Sequence, residues 1–203
     1  MKIILIILCA LTLQSCLPSA EISQRAIVEA VGIDKDEGGF IVSIEYYNPN
    51  SESEENTKTS FVEKRAKTIP LAISEINSML GKKLYFGHNN IIILGKDAAQ
   101  EDLIKILEYF DSDSETKSDI CISVSDCAKE IIEFSCKNIN VSPMSMLNII
   151  VNSKKSDGKF EYMLFKIISS KRSESAFPLP YTRINEQQYF ENCGIFEYFK
   201  NFE

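Results

Sequence analysis

The sequence holds a single histidine, His88, and that scarcity leaves acid-base and nucleophilic chemistry with little to start from. There is no Gly-x-Ser-x-Gly elbow and no glycine-rich loop able to cradle a phosphate, so neither an acyl-transfer nor a nucleotide site is indicated. None of the 6 cysteines stands in a Cys-x-x-Cys pair, and with one histidine their spacing fits no zinc pattern. A basic patch is missing too: 29 acidic residues against 22 Lys and Arg leave a net charge of −7. Such a body is repelled by nucleic acid and by anionic lipid alike. Beyond residue 16 no apolar run reaches the ~18 residues that a membrane-spanning helix needs.

What is present is an ordinary globular composition, 44% hydrophobic and 25% charged over 203 residues, enough for one large domain or two small ones. The one long apolar run is at the start, where Lys2 precedes Ile3 to Leu13, and Gln14 and Ser15 break it. It is too short to span a bilayer and has the anatomy of a secretion signal. Leu13-Gln14-Ser15-Cys16 resembles a bacterial lipobox. Residues 1–15 then form a lipoprotein signal peptide, Cys16 receives diacylglycerol, and residues 16–20 are the lipid tether. An ordinary signal peptide cut elsewhere is the alternative. Two acyl chains hold a protein stably, each buried methylene adding about 0.8 kcal/mol, so attachment comes from the lipid and from protein partners. With Cys9 in the signal and Cys16 lipidated, Cys121, Cys127, Cys136 and Cys193 remain. Their pairing is not readable from spacing, and buried free thiols, packing as small hydrophobes, are preferred to disulfides.

Along the chain, Ile27 to Asp34 and Phe40 to Tyr47 read as strands joined by the turn Lys35 to Gly39. Phe40, Val42, Ile44 and Tyr46 share one face. Asn48 to Asn56 is a polar, acidic, solvated loop. Thr68 caps a helix whose stripe is Ala72, Ile76 and Met79 or Leu80, closed by Gly81. Leu84 to Leu94 contains a β-rich run. Asp97, with Gln100 in capping-box position, opens a helix striped by Leu103, Ile106, Leu107 and Phe110.

The stretch Asp111 to Asp119, with nothing apolar in it, divides the chain into two successive subdomains, 21–116 and 117–203. In the second, Ile120, Ile122 and Val124 suggest a strand, Ser125 caps a short helix through Ala128, Ile131 and Ile132, and Ser142-Pro143 opens another with Met146, Leu147 and Ile150. Phe160, Met163, Leu164, Ile167 and Ile168 form a further stripe. Pro178 and Pro180 then break the chain before the aromatic, strand-like stretch Tyr189 to Phe202. The expected class is α+β, mixed β-sheets with flanking helices.

These residues resemble a known family. Cys16, Ala26 to Asp34 (AIVEAVGID), the variable acidic loop, Thr68 to Leu80, Gly81 to His88 (GKKLYFGH) and Ile91 to Gly95 are similar, in this order, to the N-terminal region of Ger(x)C-type spore germination lipoproteins. These are the C subunits of nutrient germinant receptors. Ala128 to Ile132, Pro178 to Pro180 and Gly194 to Phe196 with Phe199 to Asn201 fit the later pattern more loosely. The resemblance implies a protein lipid-anchored on the outer face of the spore inner membrane, working beside an A and a B subunit, without enzymatic activity or cofactor. The family's large C-terminal domain is absent from this sequence, so a truncated copy is one expectation. A lipid-anchored solute-binding protein, with a ligand cleft between two lobes, is another.

Of the individual residues, Cys16 is the site expected from the sequence, as the lipid acceptor. His88 is expected to hydrogen-bond backbone at a strand entrance. Gly32-Ile33-Asp34 and Gly87-His88 mark either turns and close backbone packing or an interface, and Asp34 is expected to cap the turn after its strand. Glu54 and Glu55 have no apolar neighbour to perturb them.

Overall fold

A computed structural model describes residues 24–48, 58–138, 142–152, 163–170, 177–186 and 190–198. The strands β1 (Arg25–Asp36) and β2 (Gly39–Tyr47) form a hairpin, and β3 (Thr59–Ala66) pairs with β2. The hairpin turn is tighter than the sequence suggests, with only Glu37 and Gly38 outside the strands. Gly39 fits there because φ is +148° and a Cβ would lie 2.3 Å from the Ala66 carbonyl oxygen.

Helix α1 (Ile69–Leu80) starts as predicted. The Thr68 hydroxyl accepts from the Leu71 N–H at 3.4 Å, and Gly81 ends the helix in the left-handed region at φ 61°. Ala72 and Ile76 are buried, and Leu80 completes the stripe while Met79 is 60% exposed. Next come β4 (Lys83–Tyr85), a 3-10 turn at Phe86–His88, and β5 (Ile91–Gly95). Both β4 and β5 run parallel to β1, one after the other along the same edge.

Helix α2 (Lys96–Ser112) buries Leu103, Ile106, Leu107 and Phe110 as expected. Its N-cap is Gly95 and no side chain caps it, so Asp97 is the second residue of the helix, inside its first turn instead of at the boundary. There its charge still suits the positive end of the helix. The segment that follows leads to β6 (Cys121–Ser125), which pairs in parallel with β5. Strands on either side of the expected subdomain boundary therefore share one sheet.

Then come α3 (Ala128–Lys137), α4 (Pro143–Asn152), α5 (Leu164–Ser170) and the antiparallel pair β7 (Phe177–Ile184) and β8 (Phe190–Tyr198). Met163 lies outside α5 and bridges to Cys121, while Phe160 lies outside the described residues. Pro178 and Pro180 do not break the chain. They stand in β7, two apart, so their missing N–H groups fall on the same edge and the other edge keeps its donors.

The sheet has the order β3-β2-β1-β5-β6-β7-β8, with β4 beside β1. It is mixed and flanked by helices, an α+β fold. One face is covered by α1, α2 and α5 over Val31, Ile33, Ile92, Leu94 and Ile122. The other is covered by α3 and α4 over Ala30, Ile91, Ile93 and Cys121. Burial on both faces explains why β5 reads Ile-Ile-Ile-Leu without alternation. In β1 the face changes parity: Ala26 and Val28 are in the first core, and so are Val31 and Ile33. A β-bulge between Val28 and Ala30 absorbs the extra residue, Glu29.

Candidate functional site

The stretch Ala30 to Asp34 is positioned by α3. Past the bulge, even-numbered residues of β1 point at that helix. Gly32 lets it approach, since a Cβ there would lie 2.8 Å from Ile132 Cγ1 and 3.2 Å from the Ala128 backbone. One residue pair along the strand, the Asp34 carboxylate accepts from the N–H groups of Ala128 and Lys129, both at 2.8 Å. Asp34 thus caps α3 from 94 residues away, and does not cap the turn after its own strand. Ser125, expected as the cap, directs its hydroxyl to the Cys127 carbonyl at 3.3 Å. Burial pushes Asp34 above the usual carboxylate range, and the two N–H bonds pull it part of the way back. Gly95 completes the joint. Its φ of −62° suits any residue, but a Cβ would lie 2.3 Å from Asp34 Oδ1.

A second carboxylate holds the far end of the same helix. Glu45 of β2 is 2% exposed and is hydrogen-bonded by Ser135 of α3 and Thr59 of β3. Burial pushes it up to about 7, against those two bonds, and the nearby Glu29 adds to the rise. Its Oε2 has no hydrogen-bond partner among the described residues, nor has the neighbouring Ser43 hydroxyl. Glu29, at the bulge, is also raised by burial, with His88 acting in the opposite sense. The stretches 26–34 and 81–88 therefore interact electrostatically through Glu29 and His88. His88 itself is exposed, lies 6.2 Å from the Tyr85 ring, and among the described residues makes no hydrogen bond of the kind expected. Sequence reasoning did not single out Glu45 or Glu29. The signal for the bulge was the shift from even to odd spacing between Val28 and Val31.

Between the hairpin end, the start of α1 and the flank of α2 lies an apolar groove of about 540 Å³, lined by Phe40, Ile69, Pro70, Ile106 and Tyr109. Lys35 at its rim binds Glu101 and Asp102. Next to Pro70, Leu71 is 44% exposed. Cys121, Cys127 and Cys136 are free thiols; the side chain of Cys193, and Cys16, which the sequence leads one to expect as a lipid acceptor, lie outside the described residues. Among the described residues, no group of three or more His, Cys, Asp or Glu is placed to hold a metal. No described helix is long and apolar enough to cross a membrane.

Comparison with known proteins gives a consistent result. Residues 18–184 match the family described as "Spore germination protein N-terminal domain". Spore germination protein KC of Bacillus subtilis (strain 168) is 22% identical over 125 residues, covering 57% of this chain and 31% of the relative. The chain therefore matches about a third of that protein's length. No solved structure matches. The family match takes in β1, with Gly32 and Asp34, together with α3, which they seat, and nearly all of the sheet between them. The chain belongs to the family of spore germination protein N-terminal domains.

Proposed function

We propose that this protein acts in spore germination as a lipid-anchored subunit of a nutrient germinant receptor, working through protein contacts with the receptor's A and B subunits. The family match over residues 18–184 carries this reading. It begins at residue 18, two residues after the Cys16 of the lipobox-like Leu13-Gln14-Ser15-Cys16, which supports a domain tethered close to a lipid on that cysteine. In this reading the lipid on Cys16 holds the domain on the outer face of the spore inner membrane, and neither a cofactor nor a nucleic acid takes part. The fold is compatible with a contact role: the apolar groove lined by Phe40, Ile69, Pro70, Ile106 and Tyr109 is open to a partner.

The test is to fractionate vegetative cells and spores expressing the full chain or Cys16→Ala. The expected result is enrichment in the spore inner membrane, lost in the variant, together with slowed germination on at least one nutrient in spores that lack the gene. Normal germination on every nutrient would overturn the reading. So would membrane association in vegetative cells alone, which fits a solute-binding lipoprotein.

A further inference from the structure

We propose that α3 is a proton-sensitive element of the fold, held on the sheet by a carboxylate at each end and loosened when the buried one, Glu45, ionises. The two ends are built differently. At the N-terminal end Asp34 accepts from two backbone N–H groups, a pairing that a charged carboxylate satisfies well. At the C-terminal end Glu45 sits almost fully buried, receives Ser135 and Thr59, and leaves Oε2 without a partner. A neutral carboxyl is tolerated in such a place, whereas a charge is not.

The surroundings supply no counter-charge in contact with Glu45. On β1 the nearby group is Glu29, itself acidic, with His88 facing it. On β3, Glu63 is tied to Lys129 at 2.7 Å. On α3, Lys137 pairs with Glu133 at 2.5 Å, Glu130 lies by Asp34, and the Cys136 thiol meets Thr59 Oγ1 at 3.8 Å. The strand β5 brings no titratable side chain, and β6 only the Cys121 thiol.

As pH rises through neutrality the Glu45 charge is stabilised by hydration, and lifting the last turns of α3 hydrates it. Ala128, Ile131 and Ile132 seat the first part of the helix on Ala30, Ile91 and Ile93, while Ser135 and Cys136 are the buried residues of its last turn. Opening there uncovers Ser43 and Glu45 without disturbing the first core, where α1 and α2 lie on the other face.

Hydrogen exchange of the full chain between pH 5 and 8 tests this. After correction for the intrinsic rate, protection of the α3 amides from Ile131 to Lys137 is expected to fall by up to roughly a hundredfold between pH 5 and 7, tenfold for each unit of unfavourable ionisation. That fall should be insensitive to low urea, as local opening is, and should be absent in Glu45→Gln. Ser135→Ala, which removes one bond to the carboxylate, should move the fall to higher pH. The inference is overturned if Glu45→Gln keeps the fall or if Ser135→Ala leaves its midpoint in place. It is also overturned if the α3 and β5 amides share one pH and urea dependence, since the helix then opens only with the whole fold.

Discussion

Gly95 and Asp34 should behave as one unit, and a double-mutant cycle measures it. Asp34→Ala removes an acceptor from two N–H groups at the start of α3, both held at 2.8 Å, and leaves them without a partner. Each bond to a charged group contributes about 1.5–3 kcal/mol, and side-chain caps as a class are worth about 0.5–2 kcal/mol. A loss of about 2–4 kcal/mol follows for this partly buried cap. Gly95→Ala costs nothing in backbone conformation, because φ is −62°. Its Cβ would stand 2.3 Å from Asp34 Oδ1 but 3.4 Å from Asp34 Cα. The carboxylate must swing away and give up the cap, for a loss of about 2 kcal/mol by the same reckoning. With Asp34 already Ala, the same methyl has room. The double variant should therefore be no less stable than Asp34→Ala alone, a coupling of about 2 kcal/mol. Urea unfolding of the four full-length proteins, followed by far-UV circular dichroism, reads this directly. Losses that simply add, or a Gly95→Ala loss under about 0.5 kcal/mol, would refute the argument that Gly95 is there to admit the Asp34 carboxylate.

Three further outcomes are expected. Glu45 titrates at about 7 in the folded chain against 4.5 for the exposed group; its neutral form is the favourable one, so its contribution is intact below pH 4.5 and lost as pH rises to 7. Glu45→Gln should therefore match the parent near pH 4 and exceed its stability above pH 7 by up to about 3 kcal/mol, and equal melting curves at pH 8 would contradict it. Gly39→Ala meets both a positive φ and a Cβ 2.3 Å from the Ala66 oxygen, so a loss of about 2–4 kcal/mol is expected in urea unfolding; a neutral result would show that the hairpin end can shift freely. Cys121 is 1% exposed and burial pushes its thiol up to about 12. It should resist alkylation at pH 8 in the native chain while the more accessible Cys127 reacts, and equal rates for the two would place Cys121 at the surface.

Legibility followed distance along the chain. The Thr68 cap, the Gly81 stop and the Phe40-to-Tyr46 alternation are each decided within a turn or a strand, and all three appear where the sequence puts them. The α2 stripe is equally plain, but its start is not: Asp97 has the chemistry of a cap, yet the cap falls two residues earlier because β5 runs straight into the helix at Gly95. Pro178 and Pro180 have the local signature of chain breakers, and a local rule cannot say that β7 bridges β6 only at Val124 and Tyr181. The role of Asp34 was out of reach for the same reason, since its partners are 94 and 95 residues away. The even-to-odd shift around Glu29 was visible, but it means a bulge only once both sides are known to face one core.

The carboxyl edge of the sheet is where this architecture would ordinarily take a ligand. Neighbouring parallel strands β5 and β6 send α2 and α3 to opposite faces, which opens the kind of crevice that binds ligands in α/β sheets, and the first N–H groups of a helix there attract anions. Here that capacity is used internally. Asp34 takes the N–H groups of Ala128 and Lys129. Lys96, the first residue of α2, pairs with Asp126 at 2.6 Å and lies 4.9 Å over the Tyr181 ring. An anionic ligand would have to displace a carboxylate that the fold itself positions, forfeiting bonds of about 1.5–3 kcal/mol each. The edge that would carry chemistry is thus the joint that seats α3. Open apolar surface lies elsewhere, in the groove lined by Phe40, Ile69, Pro70, Ile106 and Tyr109, and that separation fits the contact role proposed above.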